Sequence, residues 1–120
     1  MIEERYLFHI SPSENEEAIG KQGFIPKNGK VFFARGSVQE RMGMFLFKWM
    51  ARRYERLGRG KEYTVYKLDV GNIPETVEFF PDPENKPMFV YAEQVIPYSS
   101  VVTKTKFKID EWFNRSRSNS

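Results

Sequence analysis

The stretch Lys30-Val31-Phe32-Phe33-Ala34-Arg35-Gly36-Ser37 decides how the fold is interpreted, because a strand pattern runs straight into a helix start. Its first half is a short run of strand-forming apolar residues. Ser37-Val38-Gln39-Glu40 then has the Ser-x-x-Glu spacing of a capping box, which marks helix N-termini. From residue 38 to residue 57 apolar side chains recur at steps of three and four, and Gly58 follows. The stretch therefore predicts a strand followed by one long helix.

The segment before this unit repeats the same order on a smaller scale. Tyr6-Leu7-Phe8-His9-Ile10 reads as a strand that ends at Ser11-Pro12. Ser13-Glu14-Asn15-Glu16 is a second Ser-x-x-Glu box, and the short helix it predicts should stop between Gly20 and Gly23. His9 and Ser11 are two residues apart in an extended segment, so we expect their side chains on one side of the strand.

The segments after the long helix carry strand patterns separated by turns. Strands are predicted at residues 62–70, 76–80, 88–91, 94–96 and 101–109. The order of elements predicts an α+β fold with a largely antiparallel sheet. We expect one domain over residues 1–110 and a polar, basic tail over residues 111–120.

Composition narrows the classes of function. The chain has 120 residues, 40% of them hydrophobic and 29% charged, which is typical of a globular domain. It has no cysteine and one histidine, so disulfides, thiol nucleophiles and zinc sites are not expected. No signal peptide or membrane-spanning stretch is present in the sequence, which predicts a soluble, cytoplasmic protein with no membrane partner. The charge of +3 mildly favours anionic partners.

Three features could carry chemistry, and each also has a plain structural explanation. His9-Ile10-Ser11 offers an imidazole and a hydroxyl, although such a histidine is often satisfied by a backbone carbonyl. Phe32 and Phe33, with Phe45 in the next element, could form an aromatic slot for a flat ring, or simply pack in the core. Glu93 lies between two apolar segments, either as a cleft carboxylate or as a solvent-facing acid at a strand edge.

In this order the three features resemble the ADP-ribosyltransferase family. Gly29-Lys30-Val31-Phe32-Phe33-Ala34 is similar to the Gly-Lys-(Gly)-Ile-Tyr-Phe-Ala stretch of the branch that contains diphtheria toxin and poly(ADP-ribose) polymerases. Glu93-Gln94-Val95-Ile96-Pro97 is similar to the Glu-Val-Leu-Ile-Pro of arginine-modifying and Rho-modifying toxins. The His-first pattern also resembles DNA-modifying members. The resemblance covers most of residues 6–102 and implies a small, split, mostly antiparallel sheet with one long and one short helix.

The resemblance also implies site roles. NAD would be the substrate, no metal would be needed, and the acceptor would be a nucleic acid or a protein, or water in NAD glycohydrolysis. Glu93 would be the catalytic carboxylate on the ribose 2′-hydroxyl, and His9 would donate to the adenosine ribose. Ser11 would hold the other ribose or the amide, and Phe32 or Phe33, with Phe45, would stack the nicotinamide. The small size would suit a toxin, a phage effector or a modification enzyme.

The chain departs from the family pattern at several positions, among them the spacing of Phe45 and the His of the first motif where arginine-modifying members have Arg, and alternatives stay open. Phe32 replaces the usual tyrosine, and Tyr91 stands where arginine-modifying members keep a second acid, so arginine modification is not expected. The same fold also serves RNA 2′-phosphotransferases. A third interpretation is a non-catalytic basic module that binds nucleic acid or a protein. Arg52, Arg53 and Arg56 of the long helix are the predicted contacts to an acceptor, or else part of a solvated face.

Overall fold

The structure, a computed structural model, describes residues 2–56, 62–85 and 88–108. Its strands are β1 (Tyr6–Pro12), β2 (Val31–Arg35), β3 (Glu62–Asp69), β4 (Phe79–Pro81), β5 (Phe89–Ala92) and β6 (Val101–Lys108). Its α-helices are α1 (Glu16–Gln22), α2 (Gly36–Met42) and α3 (Met44–Arg56). Short 3-10 turns occupy Ser13–Asn15, Val70–Asn72 and Tyr98–Ser100.

The six strands form one antiparallel sheet in the order β4-β5-β2-β1-β3-β6. The α+β class and the antiparallel sheet predicted from the sequence are therefore confirmed. β1 lies near the middle of the sheet, and β2 follows the short helix α1 as expected. Among the described residues, no helix is both long and apolar enough to cross a membrane.

The sheet opens between β1 and β2. These strands are paired only at Leu7 with Arg35 and at Phe8 with Ala34. By contrast, β1 pairs with β3 along its whole length, from Tyr6 to Pro12. The C-terminal half of β1 and the N-terminal half of β2 thus have no ladder between them. We call this region, His9–Pro12 of β1 with Val31–Phe33 of β2, the open end of the sheet.

Alternation along β1 divides the core between the two faces of the sheet. One face, which α2 and α3 cover, buries Phe8 and Ile10 of β1 against Leu46 and Phe47 of α3. The other face, which α1 and the loops cover, buries Leu7. This second cluster comprises Leu7, Ile19, Phe24, Val31, Phe33, Tyr66, Leu68, Ile73, Val90, Ala92 and Ile96. We refer to the two sides as the α2/α3 face and the α1 face.

The prediction of one long helix was wrong, because the segment forms two helices separated at Gly43. Gly43 has φ +57° and ψ −137°, and its amide closes α2 by donating to the Gln39 carbonyl at 2.7 Å. Glycine reaches this region of φ without the penalty that a Cβ brings. The apolar period continues across the break, which is why periodicity alone predicts a single helix.

Neither predicted capping box forms. Ser13 donates or accepts a hydrogen bond with Thr64 of β3 at 2.8 Å, and α1 begins three residues later. Ser37 is already inside α2, and both its amide and its hydroxyl bond to Glu4. In both cases a partner distant in sequence takes the serine that local spacing assigned to a cap.

The remaining differences concern short segments. Residues 94–96 form no strand, although Ile96 makes an isolated bridge with Phe24. The predicted strand at 76–80 is limited to β4. The predicted C-terminal tail, residues 111–120, lies outside the described residues, as does Gly58, the predicted end of the long helix.

Candidate functional site

His9 bridges the open end of the sheet. Its Nδ1 lies 2.9 Å from the Phe32 carbonyl oxygen, where a ladder bond between β1 and β2 is missing. The imidazole points to the α1 face and contacts the rings of Phe24 and Phe33, with centroid distances of 5.0 and 5.4 Å. The backbone-carbonyl explanation of this histidine is thus correct. It does not exclude a role in binding, since only one ring nitrogen is used.

The surroundings of His9 determine the protonation state and the tautomer of its imidazole. Burial lowers the pKa of the imidazole from 6.5 to about 4, Lys27 acts in the same direction, and the Phe32 carbonyl opposes both. The ring is therefore neutral at pH 7, and a carbonyl can only accept, so the proton is on Nδ1. Nε2 carries the lone pair. Within the described chain it makes no hydrogen bond, so it is free to accept one.

Phe24 covers part of the imidazole from the α1 face. It follows α1 directly, and its amide and carbonyl both bond to the backbone of Ile96, at 2.8 and 3.1 Å. Gly23 permits this crossing, because it has φ +78° and a Cβ there would lie 2.5 Å from the Ile96 oxygen. The bridge ties the end of α1 to the segment that follows Glu93.

Two polar residues, Ser11 and Tyr66, lie near His9 on the α1 face. Ser11 is buried and accepts a hydrogen bond from Asn15 Nδ2 at 3.0 Å. Tyr66 pairs with His9 across β1 and β3 and is wholly buried, and among the described residues its hydroxyl makes no hydrogen bond of good geometry. Burial, with the negative charge of Glu16, raises the pKa of Tyr66 to about 12, although the nearby Thr64 hydroxyl acts to lower it. Tyr66 therefore stays a neutral phenol.

Glu93 lies at the same end of the sheet as His9 and Ser11. It follows Ala92, the last residue of β5, which pairs with Val31 of β2. Continued beyond Phe8, the β1–β2 register would place Ser11 opposite that same Val31. Strand β2 separates β5 from β1, so at a strand spacing near 4.8 Å the two backbones are about 10 Å apart.

The Glu93 side chain is exposed rather than enclosed. It lines a shallow depression of about 250 Å³ together with Thr76, Glu78, Phe80 and Gln94. His9 and Ser11 do not line this depression. The structure thus brings Glu93 to the open end, but on the side of β4 rather than against the imidazole.

The expected aromatic slot is not formed. Phe32 and Phe33 are consecutive in β2 and therefore point to opposite faces. Phe33 is fully buried against His9, whereas Phe32 is half-buried against Tyr91, with centroids 5.7 Å apart. Phe45 is 73% exposed on the outer side of α3. The reason is the turn of the helix: Leu46 and Phe47 face the sheet, so Phe45 cannot.

The basic residues of α3 and those of β6 have different surroundings. Arg52, Arg53 and Arg56 are exposed on α3, as a contact surface requires. Lys104 and Lys106 of β6 instead form ion pairs with Glu16 of α1. The pair with Glu16 raises the pKa of Lys104, and both lysines hold the pKa of Glu16 below its usual range.

A larger depression of about 520 Å³ lies beside α1. Among its lining residues are Glu16, Glu17, Lys21, Tyr98 and Lys104. Its charges largely neutralise one another through the pairs Lys21–Glu17 and Lys104–Glu16. None of the candidate site residues predicted from the sequence lines this depression, so we place the candidate site at the open end instead.

Sequence reasoning missed Phe24 and Tyr66, the two rings that join Phe33 around His9. Phe24 stands in a turn pattern and Tyr66 in an ordinary strand pattern, so neither gives a signal of its own. Comparison with models of known protein families and with curated protein sequences finds no match. The case for a function therefore rests on the geometry of the open end and on the motifs.

Proposed function

We propose that this protein is an NAD-dependent ADP-ribosyltransferase that binds NAD at the open end of the sheet. It transfers ADP-ribose to a nucleic acid or protein acceptor, or to water. The observation that carries the proposal is that His9, Ser11 and Glu93 belong to one end of the sheet, although 82 residues separate Ser11 from Glu93 in the sequence.

The spacing of these groups suits a dinucleotide. NAD carries two riboses joined by a pyrophosphate, so side chains two strands apart can each contact one ribose. His9 would contact the adenosine ribose and Glu93 the nicotinamide ribose. Because Nδ1–H of His9 is bonded to the Phe32 carbonyl, the free Nε2 would accept a hydrogen bond from a ribose hydroxyl. This reverses the donor role expected from the resemblance.

The chemistry assigned to Glu93 is electrostatic. The bond between the ribose C1′ and the nicotinamide nitrogen breaks with its electron pair leaving on nicotinamide, through an oxocarbenium-like transition state. A carboxylate hydrogen-bonded to the 2′-hydroxyl stabilises the positive charge that develops on the ribose. The acceptor then forms a bond to C1′ and loses its proton. Tyr91 two residues earlier offers no second carboxylate, so Glu93 acts alone.

Phe24, Phe33 and Phe32 supply the apolar part of the proposed site. Phe33 and Phe24 hold the imidazole in place from the α1 face, and the Phe32 carbonyl fixes its tautomer. The Phe32 ring, which is half-buried beside Tyr91, is the aromatic surface nearest to Glu93 along β2 and β5. It is therefore the ring we assign to nicotinamide contact, in place of Phe45.

The test compares Glu93→Gln with Glu78→Gln in a nicotinamide-release assay. Both carboxylates are exposed and line the same depression, so neither change should alter stability by more than about 0.5 kcal/mol. We expect Glu93→Gln to reduce release at least about 100-fold, as loss of a group that stabilises transition-state charge does. Glu78→Gln should retain the wild-type rate.

The acceptors in this assay separate the alternatives. Protein, single-stranded RNA and DNA, and 2′-phosphorylated RNA are each supplied with NAD. Turnover that requires the 2′-phosphate would identify an RNA 2′-phosphotransferase. If wild type and Glu93→Gln release nicotinamide equally slowly with every acceptor, the protein is not a transferase, and a non-catalytic binding role replaces this proposal.

A further inference from the structure

Helix α3 exposes a stripe in which aromatic and basic side chains alternate. Phe45, Trp49, Arg52 and Arg56 are spaced by four, three and four residues, so they lie along one side of the helix. Lys48 and Arg53 flank this side. We call these six residues the α3 stripe.

Core packing does not explain why the aromatic rings of the stripe are exposed. The opposite side of α3 already buries Leu46, Phe47 and Ala51 against the sheet. Phe45 is nevertheless 73% exposed, and Trp49 is 48% exposed. Large exposed rings side by side are typical of a binding surface rather than of a solvated helix face.

The rings are held in a defined arrangement. Trp49 stacks on Phe89 of β5, with centroids 5.5 Å apart and an interplanar angle of 12°. One face of the indole is thus fixed against the sheet and the ring remains half-exposed. Lys48 Nζ lies 5.7 Å from the Phe45 ring centroid. The stripe therefore presents flat rings next to fixed positive charge.

The charge of the stripe is complementary to a polyanion. Helices α2 and α3 carry five basic residues, Arg41, Lys48, Arg52, Arg53 and Arg56, against the two acids Glu40 and Glu55. A basic surface with interleaved aromatic rings binds single-stranded nucleic acid, because the charges follow the phosphates while the bases stack on the rings. In a duplex the bases are already stacked on one another and are not available to such rings.

The same arrangement argues against a membrane surface. An interfacial helix separates an apolar face from a basic face so that the apolar face can enter the lipid. At 100° per residue, Phe45 falls between Arg52 and Arg56 around the helix axis, and Trp49 falls between Arg56 and Arg53. Both exposed rings of α3 therefore lie between arginines and do not form a separate apolar face.

We propose that the α3 stripe binds single-stranded nucleic acid and delivers it to the NAD site as the acceptor. The claim of binding is independent of the proposed function, whereas the claim that the bound strand is the acceptor rests on it. The C-terminal part of α3 leads to the open end of the sheet. There the Tyr54 hydroxyl donates to the carbonyl of Ile10, at 3.1 Å, in the part of β1 that lacks pairing to β2. A single-stranded nucleic acid that follows the stripe in this direction reaches the proposed NAD site.

The test measures the binding of a labelled single-stranded oligonucleotide of about 16 nucleotides by fluorescence anisotropy, without NAD. Phe45→Ala should weaken binding at least about fivefold, since stacking is lost, with no change in thermal stability because the ring is exposed. Val102→Ala, which removes an exposed apolar side chain from β6, is the matched control and should bind as wild type does.

The charged part of the stripe is tested by salt dependence. Arg56→Gln should lower the slope of log affinity against log salt by about 0.7, the value for one phosphate contact on a single strand. Lys21→Gln, an exposed basic residue of α1, should leave the slope unchanged. A duplex of the same sequence should bind more weakly than the single strand.

Three results would overturn the proposal. They are equal binding by Phe45→Ala and Val102→Ala, equal binding of duplex and single strand, and Phe45-dependent binding to anionic vesicles with none to the oligonucleotide. Failure of the proposed function is seen separately. If the strand binds through Phe45 but no nicotinamide is released, the stripe is a nucleic-acid surface and the enzyme assignment fails. If NAD is cleaved but the oligonucleotide does not bind, the α3 stripe is not a nucleic-acid surface and the proposed function stands.

Discussion

At the scale of single residues, His9 shows how one side chain can serve both the fold and the site. Its Nδ1 replaces a missing ladder bond by donating to the Phe32 carbonyl, and its Nε2 remains an acceptor at the open end. A neutral imidazole is suited to this double use because each nitrogen has a fixed role.

The protonation state of His9 gives a direct prediction. His9 is the sole histidine of the chain, so its imidazole signal in an NMR titration needs no assignment. We expect a midpoint near pH 4, because burial lowers the pKa to about 4, and a midpoint near 6.5 in the urea-unfolded chain. A midpoint at or above pH 6 in the folded protein would contradict the burial of this ring.

Stability should follow the same titration. Between pH 6.5 and about 4 the unfolded chain binds a proton at His9 and the folded chain does not, so the free energy of unfolding falls as the pH falls. The loss attributable to His9 is at most about 3 kcal/mol. His9→Gln, which keeps an N–H donor but does not titrate, should show a flatter pH dependence in this window. Urea denaturation at several pH values measures the difference.

The sequence pattern predicted the relation of His9 to Ser11 but not the surroundings of either residue or of Glu93. Strand alternation places His9 and Ser11 on one side, as found. Phe45 was expected in an aromatic slot but lies on the exposed side of α3. The spacing of apolar residues along the helix fits either side until the buried side is known. The cover over His9 depends on Phe24, which contacts rings from three different strands, β1, β2 and β3.

At the scale of elements, the connection between α1 and β2 decides how closed the site is. Gly23 ends α1, and Phe24 then pairs with Ile96, which positions the ring against His9. The chain can take this path only because residue 23 has no Cβ to meet the Ile96 carbonyl. The segment that carries Glu93 is thus linked to the one that covers His9.

The two glycines at the end of α1 make a matched pair of variants. Gly23→Ala should lower the free energy of unfolding by at least about 2 kcal/mol, because φ is +78° and the new Cβ would lie 2.5 Å from the Ile96 oxygen. Gly20→Ala, with nothing within 4 Å of its Cβ, should raise it by up to about 1 kcal/mol through helix propensity. Chemical denaturation measures both.

The opposite order of stability for these two variants would show that the Gly23 crossing is not formed. A second readout comes from His9: loosening of the Phe24–Ile96 bridge in Gly23→Ala should move the imidazole pKa upward, toward 6.5, since burial is what lowers it. Gly20→Ala should leave that pKa unchanged.

Element boundaries were the least predictable part of the chain. Strand patterns predicted the ends of β1, β2 and β3 to within two residues. These strands lie inside the sheet, and each carries apolar residues that are buried on both of its faces. The break at Gly43 and the two unused capping boxes depended on backbone angles and on Glu4 and Thr64, partners that lie far away in sequence. Local spacing does not contain that information.

At the scale of the whole molecule, the fold brings a neutral acceptor and a carboxylate together at one end of a six-stranded sheet. The open end exists because β1 pairs fully with β3 and only briefly with β2. The α3 stripe lies on the α2/α3 face, and the cover over His9 lies on the α1 face. The imidazole therefore faces the α1 side of the open end, whereas the Phe32 ring assigned to nicotinamide lies on the same side of the sheet as the α3 stripe. Composition predicted a basic, aromatic-rich globular chain, but this arrangement depends on strand order, which no single motif specifies.

The most direct measurement of the central claim is an NAD titration of Glu93→Gln protein at pH 7, observed at the His9 imidazole by NMR. On the proposed mechanism Glu93→Gln slows turnover at least about 100-fold, and it leaves the imidazole itself unchanged. We expect NAD to shift the Nε2 and Hε1 signals saturably while Nδ1–H stays bonded to the Phe32 carbonyl. Unchanged imidazole signals at millimolar NAD, or a shift that an equal concentration of inorganic pyrophosphate reproduces, would contradict an NAD site at the open end of the sheet.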